Sequence, residues 1–312
     1  MITTLLPGDF TTVQDGGRWG YQAYGMPVAG AMDRYAYRLA NLLAGNPDNA
    51  AVIEMTHRGA AFKFDEEQFV AVCGADMQGR LGGRPITNWS SFIVPRQGEL
   101  RFEAVTSGFR TYLAVCGGIA VPSVLGSRST YVRAGIGGYE GRPLRQGDVL
   151  YVGTGSAGPA VPRRVPGQFI RRYGPELTLR VIPGPQDTMF TSTAIDTFYA
   201  STYVVGSQSD RAGYSLTGPK IIPIGKEADI VSDAVGLGAV QIPSSGMPYI
   251  VTADHQTTRG FAKIAYVIQV DLARLAQART GDKIRFTAVA ESEAIAELQY
   301  AERLLQALAR GR

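Results

Sequence analysis

The 312-residue sequence is poor in cysteine, histidine and charged side chains: it has two cysteines, two histidines and 19% charged residues. No pair of cysteines or histidines has the spacing of a zinc site, so we expect no metal centre. Cys73 and Cys116 each end a short apolar run and precede a glycine. This pattern favours small buried side chains over a disulfide.

Long apolar runs, basic stripes and phosphate-binding loops are also lacking. Because no apolar run reaches about 18 residues and no signal peptide is recognisable, we expect a soluble cytoplasmic protein without a membrane partner. The formal net charge is +4, and the basic residues are scattered except at 163–164 and 171–172. Nucleic acid is therefore not an expected partner. Without a Gly-x-x-x-x-Gly-Lys-Ser/Thr pattern, a P-loop is not predicted.

Glycine and proline are abundant, with 38 and 17 residues, and 45% of the chain is hydrophobic. Many tight turns between short strands are therefore expected, in a mainly β protein with a full core. The length suits two medium domains, and Gly, Ser, Ala and Pro crowd together in residues 153–167. We predict an N-terminal β-barrel domain over residues 1–160 and a C-terminal one over 161–312, ending in a helix.

Short sequence echoes indicate that the two halves are related. Arg-Gln-Gly-Glu at 96–99, Arg-Gln-Gly-Asp at 145–148 and Arg-Thr-Gly-Asp at 279–282 each precede an alternating strand. In such turns glycine takes positive φ and the carboxylate can bond to nearby amides. A second echo pairs Arg-Trp-Gly-Tyr at 18–21 with Arg-Ala-Gly-Tyr at 211–214.

Apolar periodicity predicts the strands and two of the helices. Strands are expected near residues 51–55, 60–64, 68–73, 91–94, 99–104, 110–116, 177–182, 203–206, 239–242, 248–253, 264–270 and 283–289. Asp33 is placed to cap a helix that Gly45 stops. The C-terminal stretch predicts an amphipathic helix with Ser292 as a possible cap.

The densest run of polar chemistry is Thr-Ala-Asp-His-Gln-Thr-Thr-Arg-Gly-Phe-Ala-Lys-Ile, residues 252–264, which follows an apolar strand. A strand end that delivers polar groups is a common way to build a site. Within this run His255 could be a general base or a solvated loop residue. Gln241 lies among apolar neighbours, so if it is buried it needs a partner or a ligand.

A second candidate is the hydroxyl-rich stretch Gly-Ser-Arg-Ser-Thr at 126–130. It could hold a carboxylate or phosphate, or it could be a glycine-rich loop with surface serines. The same choice, between a site and a braced turn, applies to Asp15 with Arg18 and to Asp210 with Arg211.

Taken together, several motifs resemble the biotin-dependent carboxyltransferase family, which includes the C component of 5-oxoprolinase, the KipA proteins and allophanate hydrolase subunit 2. The matching segments are residues 13–15, 32–33, 38–47, 73–76, 114–119, 125–130, 209–214 and 254–258. The resemblance implies a pair of cyclophilin-like β-barrel domains with a few short helices.

For stand-alone members of about this length, the resemblance implies one subunit of an ATP-dependent 5-oxoprolinase, which converts 5-oxo-L-proline to L-glutamate with two partner subunits. The implied partners are a KipI-like subunit, related to allophanate hydrolase subunit 1, and a LamB/YcsF-like subunit. ATP would be used by the complex, with no cofactor bound tightly to this chain. Two alternatives are a carboxyltransferase acting on urea or a related amide with a biotinylated partner, and a non-catalytic KipA-like regulator that binds a kinase inhibitor.

The resemblance also suggests roles for the polar residues. Those expected to hold a small amide or lactam in catalysis are Gln241, Asp254, Gln256, Thr257 and Thr258. Those expected to bind the rest of the substrate or its charge are Arg128, Ser129, Arg211, His255 and Lys263. The family usually has arginine or lysine where this chain has His255, and glycine where it has Arg259, so these positions bear on which oxo-amide is accepted.

Overall fold

Short strands and few helices make up the chain, as its many glycines and prolines predict. The computed structural model describes residues 1–154, 161–226 and 229–310. The chain forms two units: unit 1 comprises Met1–Trp19 and Val28–Tyr173, and unit 2 comprises Gly20–Pro27 and the chain from Gly174 onward. The boundary predicted after residue 160 adjoins residues 155–160, which lie outside the described part.

Unit 1 is built from two antiparallel sheets. Its strands are β1 (Ile2–Leu6), β2 (Phe10–Gln14), β3 (Val52–Thr56), β4 (Ala61–Phe64), β5 (Gln68–Asp76), β6 (Arg80–Leu81), β7 (Arg84–Pro85), β8 (Ser90–Val94), β9 (Glu99–Arg101), β10 (Ser107–Val115), β11 (Ile119–Ala120) and β12 (Val149–Val152). Among the described residues, one sheet has the order β11-β12-β1-β4-β9-β6-β7 and the other the order β2-β3-β10-β5-β8.

The core of unit 1 lies between these two sheets. Phe62 and Phe64 of β4 pack in one cluster with Ile53, Val72 and Leu113 of the other sheet, and none of these side chains is more than 2% exposed. Burying a side chain of this size stabilises the fold by about 1.5–3 kcal/mol. The apolar residues whose alternation predicted the strands therefore form the core of unit 1.

Helix α1 (Arg34–Ala44) begins and ends as predicted. The Asp33 side chain accepts a hydrogen bond from the Ala36 amide at 3.0 Å, which satisfies one of the free amides at the helix start. Gly45 follows with a φ of 78°, and its amide donates back to Asn41 and Leu42, as in a left-handed helix end.

Unit 2 is a closed ring of strands. Its strands are β13 (Glu176–Pro183), β14 (Tyr203–Val205), β15 (Gly213–Thr217), β16 (Asp229–Ala234), β17 (Ala239–Ile242), β18 (Tyr249–Val251), β19 (Thr258–Val267) and β20 (Lys283–Ala288). The order is β13-β20-β14-β15-β18-β17-β19, and β13 also pairs with β19, which closes the ring. Among the described residues β16 pairs with β19 alone and so lies outside the ring.

The other helices are α2 (Ser192–Ala200), α3 (Gln269–Leu275) and α4 (Glu291–Arg310). Short 3₁₀ helices lie at Gln22–Tyr24, Val132–Ala134, Gly167–Phe169, Asp187–Met189 and Ile224–Lys226. No helix in the described part is long and apolar enough to cross a membrane.

The ring presents an inner and an outer face. Val240, Ile250 and Ala265 oppose one another across β17, β18 and β19 and are fully buried, so they belong to the inner core. Because side chains alternate along a strand, the intervening residues face outward. There Ala239 and Val251 form a second, smaller apolar cluster with Val235. This part of the outer face is therefore covered.

The mainly β prediction is confirmed, and every predicted strand overlaps an observed one. The structure adds β1, β2, β6, β7, β11, β15 and β16, which were not predicted. It also corrects one assignment: residues 269 and 270, predicted as a strand end, begin helix α3. Ser292 does not cap α4, because the helix already begins at Glu291. The two cysteines are not joined in a disulfide, and Cys73 is buried whereas Cys116 is half-buried.

Candidate functional site

A row of side chains with polar groups crosses four strands on the outer face of the ring. Ser215 opposes Tyr249, Tyr249 opposes Gln241, and Gln241 opposes Lys263. The pairing of β17 with β19 shifts register between Val240 and Gln241, so the regular alternation of β19 does not extend from Ala265 to Lys263. Directly opposed residues of antiparallel strands point to the same face, with Cβ atoms about 5 Å apart. We call these four residues the outer row.

Gln241 is the most unusual member of the outer row. It is 0% exposed, and neither its Oε1 nor its Nε2 has a hydrogen-bond partner among the described residues. Leaving a buried polar group unpaired costs about 1–3 kcal/mol. The carboxamide has an NH2 donor and a carbonyl acceptor, so it is suited to a ligand that has a hydrogen-bond acceptor and a donor side by side.

Lys263 places a positive charge beside this amide. The residue is 1% exposed, and its Nζ donates to Asp233 Oδ2 at 2.7 Å and to the Ala234 carbonyl at 3.0 Å. Its backbone amide donates to Gln186 Oε1 at 3.2 Å. The hydrogen bond from Lys263 lowers the pKa of the Asp233 carboxyl, with further help from the Ala234 amide. The buried ammonium therefore faces a carboxylate.

Residues 233–236, which we call the cover segment, lie against the outer row. Besides the contacts of Lys263, the Val235 amide donates to the Thr257 carbonyl at 2.9 Å. The Val235 carbonyl lies 3.0 Å from His255 Nε2, and its side chain packs with Ala239 and Val251. These contacts join the cover segment to β19, to β17 and to the turn after β18.

Asp254 and Arg211 form a largely buried ion pair. Arg211 donates from Nε to Asp254 Oδ2 at 3.0 Å and from Nη2 to Oδ1 at 2.9 Å, and the two side chains, Arg211 and Asp254, are 6% and 12% exposed. The Asp254 amide also donates to the Arg211 carbonyl at 2.8 Å. A bidentate ion pair of this kind has a strict geometry. The pair with Arg211 therefore holds Asp254, and with it the turn that follows β18, in one position.

His255 is buried rather than solvated. Its Nδ1 lies 2.5 Å from the Thr252 carbonyl and its Nε2 3.0 Å from the Val235 carbonyl. Because both ring nitrogens face backbone oxygens, the imidazole links the turn to the cover segment. This arrangement favours a structural role over that of a general base.

The remaining residues of the polar run lie in the turn and at the start of β19. Gln256 and Thr258 are exposed, whereas Thr257 is buried and binds the cover segment through its carbonyl. The guanidinium of Arg259 lies 5.0 Å from the centre of the Tyr249 ring, a cation–π distance. Burial raises the pKa of the Tyr249 phenol, which keeps it a neutral hydrogen-bond donor.

Arg128 and Ser129 lie in unit 1, whereas the other predicted site residues lie in unit 2. Asp15 Oδ1 accepts hydrogen bonds from Ser127 Oγ at 2.7 Å and Ser129 Oγ at 2.5 Å. Asp15 Oδ2 accepts from the Arg128 amide at 2.5 Å. The hydroxyls and amide that were candidates for an anion site are thus engaged by Asp15, which braces the loop.

The structure adds three residues that the sequence did not indicate: Asp233, Tyr249 and Gln186. Asp233 lies in an exposed strand without clear alternation of polar and apolar residues, so no local pattern distinguishes it from the other surface acids. Its relation to Lys263 depends on the pairing of β16 with β19. Among the described residues, no group of three or more His, Cys, Asp or Glu side chains could hold a metal ion.

Comparisons with known proteins agree on one family. A family model described as carboxyltransferase domain, subdomain A and B, matches residues 24–288. The chain is 35% identical over 311 residues to the C component of 5-oxoprolinase from Escherichia coli, covering 99% of this chain and 98% of that protein. It is also 35% identical over 294 residues to the protein of the same name in Haemophilus influenzae, covering 94% and 93% of the two chains.

Among solved structures, the chain is similar to the urea carboxylase of Kluyveromyces lactis. The TM-score is 0.93 at 30% identity, over 98% of this chain and 29% of that one. The fold is therefore shared with a segment of a much longer enzyme.

Proposed function

This chain belongs to the carboxyltransferase family defined by subdomains A and B, and on that premise we propose that it is one subunit of an ATP-dependent 5-oxoprolinase. The complex would convert 5-oxo-L-proline to L-glutamate. Two partner subunits, one KipI-like and one LamB/YcsF-like, complete it in this proposal. ATP is consumed by the complex, and this chain binds no cofactor tightly.

The observation that carries the proposal is the coverage of the 5-oxoprolinase relatives. The match to the Escherichia coli protein extends over 98% of its length, so the two chains correspond from end to end. The urea carboxylase of Kluyveromyces lactis contributes 29% of its length to the match. The 5-oxoprolinase relatives therefore match this chain in extent as well as in sequence.

The outer row suits the substrate of that reaction. A five-membered lactam presents its carbonyl oxygen and N–H on the same edge, and the free carboxamide of Gln241 can pair with both. The carboxylate of 5-oxo-L-proline requires a cation, and Lys263 supplies one on the neighbouring strand. Donation from Gln241 Nε2 to the lactam carbonyl would polarise it toward attack.

The ion pair of Asp254 and Arg211 would act by positioning. It holds the turn of residues 252–258, whose Thr257 and His255 fix the cover segment. Gln256 and Thr258, exposed at this turn, are left to contact substrate or a partner subunit. The substrate-binding role proposed for Arg128 and Ser129 concerns unit 1 by itself, where Asp15 engages their loop.

The test is an omission experiment on the reconstituted complex. ATP hydrolysis that depends on 5-oxo-L-proline, together with glutamate release, is measured with all three subunits and with each left out in turn. We expect activity to disappear when this chain is omitted. Full activity without this chain, or none in the complete and folded mixture, would contradict the proposal.

A second candidate is a carboxyltransferase for urea or a related amide, favoured by the fold shared with the urea carboxylase of Kluyveromyces lactis. It requires a biotinylated partner. Carboxyl transfer to urea from such a partner, without response to 5-oxo-L-proline, would support it. Stoichiometric binding of a kinase inhibitor with no turnover of either substrate would instead support the KipA-like regulator.

A further inference from the structure

Lys263 is buried, but the carboxylate that pairs with it belongs to an exposed residue. Lys263 is 1% exposed, whereas the side chain of Asp233 is 53% exposed. A buried ammonium without a counter-ion is strongly unfavourable, so Lys263 needs an anion beside it at all times. The chain supplies that anion from an edge strand, where an exposed carboxylate can leave at little cost.

The neighbouring side-chain amide of Gln241, unlike Lys263, is not paired with any described residue of the chain. Gln241, directly across from Lys263, has no hydrogen-bond partner in the described part of the chain. Of the two groups proposed to bind a carboxylated lactam, Gln241 thus has no hydrogen-bond partner among the described residues, and Lys263 is paired with a carboxylate of the chain itself.

We infer that Asp233 is a specificity-determining residue, which pairs with Lys263 while the site is empty and is displaced by the carboxylate of the incoming lactam. This inference rests on the proposed function, and it deepens it by assigning the ligand class as a small cyclic amide that carries a carboxylate. At Lys263 the carboxylate of the ligand replaces the carboxylate of Asp233, and no covalent bond is made or broken.

Displacement also explains how a ligand reaches a buried ammonium. Lys263 Nζ is covered by Asp233 and Ala234, so the carboxylate of a ligand gains access when these two contacts open. A lactam without a carboxylate binds Gln241 but leaves the pair intact. Because a competing internal contact lowers ligand affinity by the amount it stabilises the empty state, Asp233 weakens the binding of carboxylated ligands alone.

The test compares two ligands that differ in the carboxylate. Binding of 5-oxo-L-proline and of 2-pyrrolidinone is measured by titration calorimetry with the full chain and with the assembled complex. In Asp233→Asn we expect 5-oxo-L-proline to bind about ten-fold more tightly, the usual scale for a charged hydrogen bond. The affinity for 2-pyrrolidinone is expected to stay unchanged.

Two further variants make the result specific. Asp229→Asn removes the same charge from the same exposed strand without touching either hydrogen bond of Lys263, so both affinities should match the wild type. Lys263→Met is expected to abolish the difference between the two ligands, and Asp233→Asn should have no effect in that background. Coupling between the two positions is then read from the double-mutant cycle.

Unchanged or weaker binding of 5-oxo-L-proline by Asp233→Asn, or an equal gain for both ligands, overturns the inference. A wild-type complex without 5-oxo-L-proline turnover overturns the proposed function instead. The two failures are distinguishable because the first is read from ligand binding and the second from ATP hydrolysis.

Discussion

At the scale of residues, the buried carboxamide of Gln241 links stability to function. We predict that Gln241→Leu raises the free energy of unfolding by about 1–2 kcal/mol, because it removes an unpaired buried polar group while keeping the volume. The same variant should bind lactams at least about ten-fold more weakly, since the paired donor and acceptor are lost. Urea denaturation and ligand titration measure the two effects.

Gln14 is a matched control for that prediction. It is also 0% exposed, and its Oε1 also lacks a partner among the described residues, but its Nε2 donates to Thr12 Oγ1 at 3.0 Å and to the Thr130 carbonyl at 3.2 Å. Gln14→Leu should therefore lower the free energy of unfolding and leave ligand binding unchanged. Destabilisation of both variants to a similar extent would show that Gln241 has partners in solution.

The sequence indicated some of these residues and not others. Gln241 stands out because an amide within an apolar strand has to be satisfied, and Lys263 because it ends a polar run. Asp233 could not be predicted, since its meaning depends on contact with a lysine thirty positions away. The buried state of His255 was equally hidden, because the carbonyls that surround it come from the cover segment and the turn.

At the scale of elements, two of the three echoed glycine turns form the same structure, one in each unit, whereas in the turn at 96–99 Gln97 rather than Gly98 has a positive φ, of 61°. In unit 1 the Asp148 carboxylate accepts from the Arg145 amide at 2.7 Å. In unit 2 the Asp282 carboxylate accepts from the Arg279 amide at 2.8 Å. The glycine before each aspartate has a φ near +90°, which favours glycine over other residues. Each turn leads into a strand, as predicted.

Asp148 gives this turn a pH dependence. Arg142 donates to both of its oxygens, at 2.7 and 3.0 Å, and these hydrogen bonds lower the pKa of the Asp148 carboxyl against the opposing effect of burial. A lowered folded-state pKa adds stability that is complete at neutral pH and is lost as the pH falls below about 4. We predict that Asp148→Asn is less stable than the wild type at pH 7.

Denaturation of Asp148→Asn and wild type at several pH values tests this sign. The difference in unfolding free energy should shrink steadily as the pH falls below about 4, because the wild-type carboxyl becomes protonated in the unfolded and then in the folded chain. A difference that stays constant over this range would mean that the ion pair does not contribute.

Elements without a clear pattern escaped prediction. Strand β16 mixes polar and apolar residues and is exposed along most of its length, so its conformation depends on pairing with β19. Helix α3 continues directly from an apolar strand, and no glycine or proline marks the change. Its buried Asp271 accepts three hydrogen bonds from Arg180 of β13, a tertiary contact that local sequence does not reveal.

At the scale of the whole molecule, the sequence echoes predicted two β-rich halves, but they did not predict the strand order. The ring of unit 2 closes through β20, which runs parallel to β13 and antiparallel to β14. Strand β20 lies far from β13 and β14 in the sequence, and no local sequence pattern predicts that these strands pair. Closure is therefore a property of the complete unit.

Two truncations test the importance of that closure. A chain ending at Thr280 lacks β20, so β13 and β14 each lose a neighbour and expose an unpaired edge. We predict that this chain aggregates. A chain ending at Ala290 lacks α4, whose side chains are mostly exposed, and should remain folded and monodisperse. Gel filtration measures aggregation and limited proteolysis measures folding. The same elution profile and the same protease resistance for the two chains would contradict the prediction.

The late position of β20 also sets the order of events during protein synthesis. The strands described in unit 1 end by Val152, whereas about one hundred residues separate the end of β13 from the start of β20. At about 5–20 residues per second, a ribosome needs roughly 5–20 s to make that stretch. Unit 1 can therefore fold while the chain is still growing, and the nascent edge of β13 has to be shielded until the last strand emerges.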